Sequence, residues 1–87
     1  MKMNIIMKRE EVIEKVKSFL VEEFEIDEGL LEEDKLIFKE IGIDSLDLID
    51  IVVRVKEEFG FKLERTDFAE VKTLGDFYDL LMKKIDG

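Results

Sequence analysis

Asp44, Ser45 and Asp47 bring one hydroxyl and two carboxylates together near the middle of the chain. A serine oxygen in such company is a nucleophile, an acceptor of a transferred group, or an ordinary residue at a helix start. The chain has no His and no Cys. It therefore lacks the partner that would activate Ser45 in a Ser-His-Asp arrangement, and it lacks a thiolate of its own. Beside the plain helix start, one chemical role stays open to Ser45: a substrate whose hydroxyl another enzyme activates. If Asp44 caps a helix that Ser45 opens, a phosphate esterified to Ser45 sits at the positive end of the helix dipole, among free backbone N–H groups. A lone Asp-Ser pair is far more often a plain helix start than a modification site. Asp44 and Asp47 are also the most suggestive carboxylate pair, but a small helical bundle offers no deep pocket for acid–base catalysis. No catalytic residue and no resident metal are expected.

The elements that position these residues are legible from periodicity. Val12, Val16, Phe19, Leu20 and Phe24 recur at helical spacing and predict a first helix over Arg9–Phe24, with Glu10 and Glu11 at its positive end and no good N-cap. Glu25 to Asp44 shows no sustained period. It reads as a long loop pinned by Ile26, Leu30, Leu31, Leu36, Ile37 and Ile41, with a short helical turn within it. The second helix is predicted over Ser45–Phe59, capped by Asp44 with Asp47 three residues on, and stopped by Gly60. A short helix is expected around Asp67–Glu70, in a stretch (Glu64–Val71) with few apolar anchors and no strong cap. The last helix follows the N-cap Thr73, with Asp76 in its first turn and Lys83 and Lys84 at its negative end. No strand alternation is present. The predicted class is all-α: a small bundle of three main helices plus one short helix, with a long loop between the first two.

The second helix has one apolar face too many. At about 100° per residue, Leu48, Ile51, Val52, Val55 and Phe59 fill a core-wide sector. Leu46, Ile49 and Val53 fall nearly opposite, with Asp50 and Glu57 beside them. A central helix packed all round would explain this, but so small a bundle has little left with which to bury a second face. An exposed apolar strip with acidic neighbours is how a protein-binding surface looks.

Composition narrows the partners. The chain has 87 residues, 14 Lys+Arg against 23 Asp+Glu, and net charge −9. That length allows one domain (1–87) and one modest core. The charge disfavours nucleic acid and anionic membrane and favours partners with basic surfaces, approached quickly and salt-sensitively. No apolar run exceeds three residues, so no membrane span is expected. No secretory signal is evident, which points to the cytoplasm. A monomer is expected.

These residues carry a resemblance. Gly42-Ile43-Asp44-Ser45-Leu46-Asp47 resembles the attachment motif of acyl carrier proteins, and the similarity continues through Glu57-Glu58-Phe59-Gly60, Leu63 and Thr73-Leu74-Gly75-Asp76-Phe77. It covers nearly the whole chain. The motif alone is moderately specific; with the length, the acidity and the long first loop it is strongly so. The resemblance implies a non-catalytic carrier whose Ser45 bears 4′-phosphopantetheine, placed there from coenzyme A by a phosphopantetheinyl transferase. The arm's thiol would hold acyl groups as thioesters, supplying the sulfur that the chain lacks. Asp44 stands where the family helps bind magnesium during that transfer. Leu46, Asp47, Ile49, Asp50, Val53 and Glu57 match partner-contacting positions of the family's recognition helix. Acyl-processing enzymes of fatty-acid or related synthesis are the implied partners. A polyketide, peptide or D-alanine pathway, and an unmodified acidic adaptor, are the alternatives.

The sequence departs from the family pattern in three places. Arg54 and Lys56 interrupt a helix that is usually more uniformly acidic. Phe68 and Phe77 stand where small residues often line the acyl cavity, and are expected to shrink it. Glu64-Arg65 follows Leu63 where a Pro is usual.

Overall fold

The computed structural model describes residues 8–86. Three α-helices are present, α1 (Arg9–Phe24), α2 (Ser45–Phe59) and α3 (Leu74–Asp86); α1 and α2 cover the predicted spans, α3 begins after Thr73 as predicted, and the described residues form no strand. α1 packs against both α2 and α3. The core between them is apolar, built on Val12, Val16 and Leu20 of α1, Ile51 and Val55 of α2, and Leu74, Tyr78 and Leu81 of α3.

The start of α1 has no side-chain acceptor at its cap, because Lys8 has only an ammonium to offer. Glu11 instead reaches back to accept the Lys8 N–H (2.9 Å). The other starts are reciprocal capping boxes. Thr73 Oγ1 accepts the Asp76 N–H (3.1 Å), and Asp76 Oδ2 accepts the N–H groups of Thr73 and Lys72 (both 3.1 Å). Those N–H groups, Thr73 first, hold the Asp76 carboxyl below its ordinary range. Lys83 and Lys84 lie in the last turn of α3 as expected.

The long connection is more ordered than a structureless loop. It contains a 3₁₀ turn at Glu28–Leu30 and a π-helical turn at Ile37–Ile41. Leu31, Ile37 and Ile41 pin it to the core as predicted, and Ile43 joins them. Leu30 and Leu36 do not: both are exposed. Leu36 takes part instead in a backbone bridge to Thr73. Around that bridge the Ile37 N–H donates to Lys72 O (3.0 Å), and the Leu74 and Gly75 N–H groups donate to Lys35 O and Glu33 O (3.0 and 2.9 Å). The second half of the loop is thereby strapped to the start of α3. Arg9 adds a tie from α1, pairing with Glu33 (2.6 Å) and with Asp79 of α3.

The short helix starts earlier than predicted. It is a 3₁₀ helix over Arg65–Glu70. It also has a cap that the sequence reading did not foresee: Asp67 Oδ2 accepts the Glu64 N–H (2.7 Å). Asp67 pairs with Lys84 of α3 (3.4 Å), Val71 is buried, and Phe68 is half-buried.

Candidate functional site

The π-helical turn delivers the chain to the site. The N–H groups of Ile41 and Gly42 donate to carbonyls five residues back, those of Leu36 and Ile37 (2.9 and 3.1 Å). Gly42 then takes φ 91°, a left-handed conformation that costs a side-chain-bearing residue about 1 kcal/mol or more. The reversal drops Ile43 into the core and leaves Asp44 and Ser45 at its rim, both exposed.

Asp44 caps α2 as expected. Its Oδ1 accepts the Asp47 N–H (2.9 Å), and Asp47 Oδ2 accepts the Asp44 N–H (3.3 Å). The capping role therefore falls to Asp44, and the Ser45 hydroxyl makes no hydrogen bond among the described residues. It is an exposed, unengaged oxygen on the first residue of a fifteen-residue helix. A phosphodiester there meets the free N–H groups and positive end of α2. Ser45 is thus accessible and stands at the positive end of a helix.

The second apolar stripe of α2 is exposed. Leu46, Ile49 and Val53 are 72%, 61% and 51% accessible, while Ile51 and Val55 on the other side are fully buried. Two grooves flank the stripe. An acidic groove of about 480 Å³ runs between α2 and the end of α1, with Asp47, Asp50 and Glu57 on one wall and Glu23, Phe24 and Glu25 on the other. A mostly apolar groove of about 610 Å³ begins at Ser45 and runs between Leu48, Ile49, Val52 and Val53 of α2 and the segment Lys62–Arg65 with Phe68. Val53 lines both grooves and forms the ridge between them.

The structure brings Leu46, Ile49, Asp50, Val53 and Glu57 onto one face of α2, with Ser45 and Asp47 at its two edges and Asp44 just before the helix. Sequence reasoning missed the contributions from outside that helix. Glu23 and Glu25 extend the acidic wall, and Lys62 and Arg65 line the groove beside Ser45. No local pattern signals either, because both depend on how neighbouring elements pack.

Behind the site the core is nearly closed. Phe68 and Phe77 stack with centroids 5.9 Å apart and planes at 18°. With Leu20, Ile37, Ile43 and Leu48 they surround a void of about 10 Å³, room for a single water at most. This agrees with the expectation that the two rings shrink any internal cavity.

Comparison with known proteins places this geometry. Residues 14–81 match the family described as the phosphopantetheine attachment site. The acyl carrier protein of Thermotoga maritima is 38% identical over 77 residues, covering 88% of this chain and 95% of that one. The acyl carrier protein of Petrotoga mobilis is 30% identical over 80 residues, covering 92% and 94%. A solved structure of the acyl carrier protein from Enterococcus faecalis superposes with a TM-score of 0.71 at 26% identity, covering 88% of this chain and 98% of that one. The chain belongs to the phosphopantetheine-attachment family and, within it, to the acyl carrier proteins. Its function is that of a carrier, with a covalently attached 4′-phosphopantetheine as the working group.

Proposed function

We propose that Ser45 is the attachment point and that the face of α2 presents the loaded arm to acyl-processing enzymes. A phosphopantetheinyl transferase would catalyse attack of Ser45 Oγ on the phosphate of coenzyme A that bears the pantetheine. The Oγ–P bond forms, the diphosphate P–O bond breaks with its bridging oxygen leaving on 3′,5′-ADP, and the hydroxyl proton passes to a base of the transferase. Asp44 would help hold magnesium during that step, its Oδ2 being free of the capping bond that engages Oδ1. The observation that carries the reading is the unengaged, exposed Ser45 hydroxyl at the start of α2, relieved of capping by Asp44.

The partner surface is Leu46, Ile49 and Val53 with Asp47, Asp50 and Glu57. Its carboxylates steer an enzyme with a basic patch, and its apolar strip makes the contact. The cargo belongs to fatty-acid or related lipid synthesis, and the protein works as a cytoplasmic monomer of one domain. The length, the whole-chain similarity and the charge support these points. Among the described residues no helix is long and apolar enough to cross a membrane.

The chain supplies its own control. It has two serines, Ser18 and Ser45, both exposed and both helical. After incubation with coenzyme A, magnesium and a broad-specificity transferase, peptide mapping should find phosphopantetheine on the Ser45 peptide alone. Modification of Ser18, or of both serines equally, would contradict the assignment.

A further inference from the structure

The groove that starts at Ser45 has an unusual lining for a chain of net charge −9. Lys62 and Arg65 both line it, and among the described residues neither lies within ion-pair distance of a carboxylate. Of the carboxylates, only Glu64 lines the same groove. The acidic groove across the Val53 ridge is the opposite case: its single cation, Arg54, is engaged by Glu23, Glu57 and Glu58. The two grooves flanking α2 thus differ in sign, and the one in reach of Ser45 offers the unpaired cations.

The placement of those cations says which anion they suit. The chain leaves α2 at Gly60 and returns along the helix toward Phe68, which packs with Leu48 against the core. Lys62 therefore lies toward the far end of the groove, and Arg65 lies between Lys62 and Phe68. The groove spans Ser45 to Val53 on α2, eight residues or about 12 Å. A phosphodiester on Ser45 is fixed at one end, Lys62 stands toward the other, and Arg65 lies between them. The intervening walls, Leu48, Val52 and Leu63, are apolar. Behind the Phe68–Phe77 stack the core holds a void of only about 10 Å³. A carboxylate would not enter an apolar void in any case, because it would lose its hydration without a partner.

We infer that Lys62 and Arg65 make this groove a surface site for short acyl groups that end in a carboxylate, held along Leu48, Val52 and Leu63 with the anion at the two cations. The inference rests on Ser45 bearing the arm. It assigns Lys62 and Arg65 a role in selecting cargo by charge, which neither the motif nor the face of α2 supplies.

The test compares three forms of the full chain, loaded from coenzyme A, from its butanoyl thioester and from its succinyl thioester. Both acyl groups have four carbons and differ by one terminal carboxylate. By NMR, the succinyl form should shift the backbone amides of Lys62–Arg65 and the Arg65 Nε–H beyond the other two forms. The succinyl carboxyl should titrate about half a pKa unit lower than in free succinyl-pantetheine, the size expected for exposed pairing. Both effects should vanish in Lys62→Gln/Arg65→Gln, whose helical signal should match the parent. Equal shifts in the succinyl and butanoyl forms would overturn the inference. Full shifts already present in the form without an acyl group would assign the cations to the phosphodiester and overturn it too. Absence of any mass gain at Ser45 is a separate result: it removes the attachment site itself.

Discussion

Arg54 on α2 faces Glu23 on α1 across the helix pair, with Nε 3.0 Å from Glu23 Oε2. The same guanidinium contacts Glu57 (2.9 Å) and Glu58 (3.0 Å), and it lies 5.8 Å from the centroid of the Phe19 ring. From the sequence, Arg54 looks like a basic interruption of the recognition helix. In the fold its charge is turned toward α1 and engaged by three carboxylates. Arg54→Gln should therefore lower the melting temperature, by removing a tie between helices, and should speed association with a basic partner, by freeing those carboxylates. Slower association at unchanged stability would show that Arg54 is displayed to partners instead.

Charge on the outer face should act on encounter rather than on folding. Asp50 is exposed and makes no ion pair among the described residues, and Glu57 pairs only within its own helix. Asp50→Lys with Glu57→Lys should slow association with a transferase about tenfold at low salt, and the difference should shrink as salt rises. The melting temperature should change little. A large loss of stability with unchanged association kinetics would refute this surface.

Backbone strain gives a prediction without charge contacts. Glu25 is the only non-glycine residue with positive φ among those described, at 56°, and it closes α1 in the left-handed region. Glu25→Gly should stabilise the fold by about 0.5–1 kcal/mol in urea unfolding, since glycine adopts that conformation freely. Destabilisation would mean that the Glu25 side chain matters more than its backbone.

The acid limb of stability should report Asp76. Its carboxyl is held below the ordinary range by the N–H groups of Thr73 and Lys72. A lowered folded value contributes stability above the unfolded carboxyl value of about 4, and that contribution is lost as pH falls through the folded value. Asp76→Asn should cost about 1 kcal/mol at pH 7. The gap between parent and variant should close on acidification below about pH 4. Measuring the difference, rather than the parent alone, removes the general effect of discharging an acidic surface. A gap constant from pH 7 to pH 3 would rule out this role for Asp76.

Much of this was legible because the deciding signals are local. Asp44, Gly60 and Thr73 mark helix limits by side-chain or backbone chemistry that acts within four residues. The two faces of α2 follow from spacing alone, and Leu46, Ile49 and Val53 are exposed as their register requires. What escaped depends on contacts far apart in sequence. Leu36 is exposed because the backbone bridge to Thr73, not its side chain, holds that part of the loop. The orientation of Arg54 needs Glu23 of another helix, and the cationic wall beside Ser45 needs the return of the chain along α2.

The central claim is that Ser45 carries the arm, and intact-mass measurement tests it most directly. The parent, Ser45→Ala and Ser18→Ala would each be incubated with coenzyme A, magnesium and a broad-specificity phosphopantetheinyl transferase. The account predicts one phosphopantetheine added to the parent and to Ser18→Ala, and none to Ser45→Ala. Addition to Ser45→Ala, or no addition to a folded parent, would contradict it.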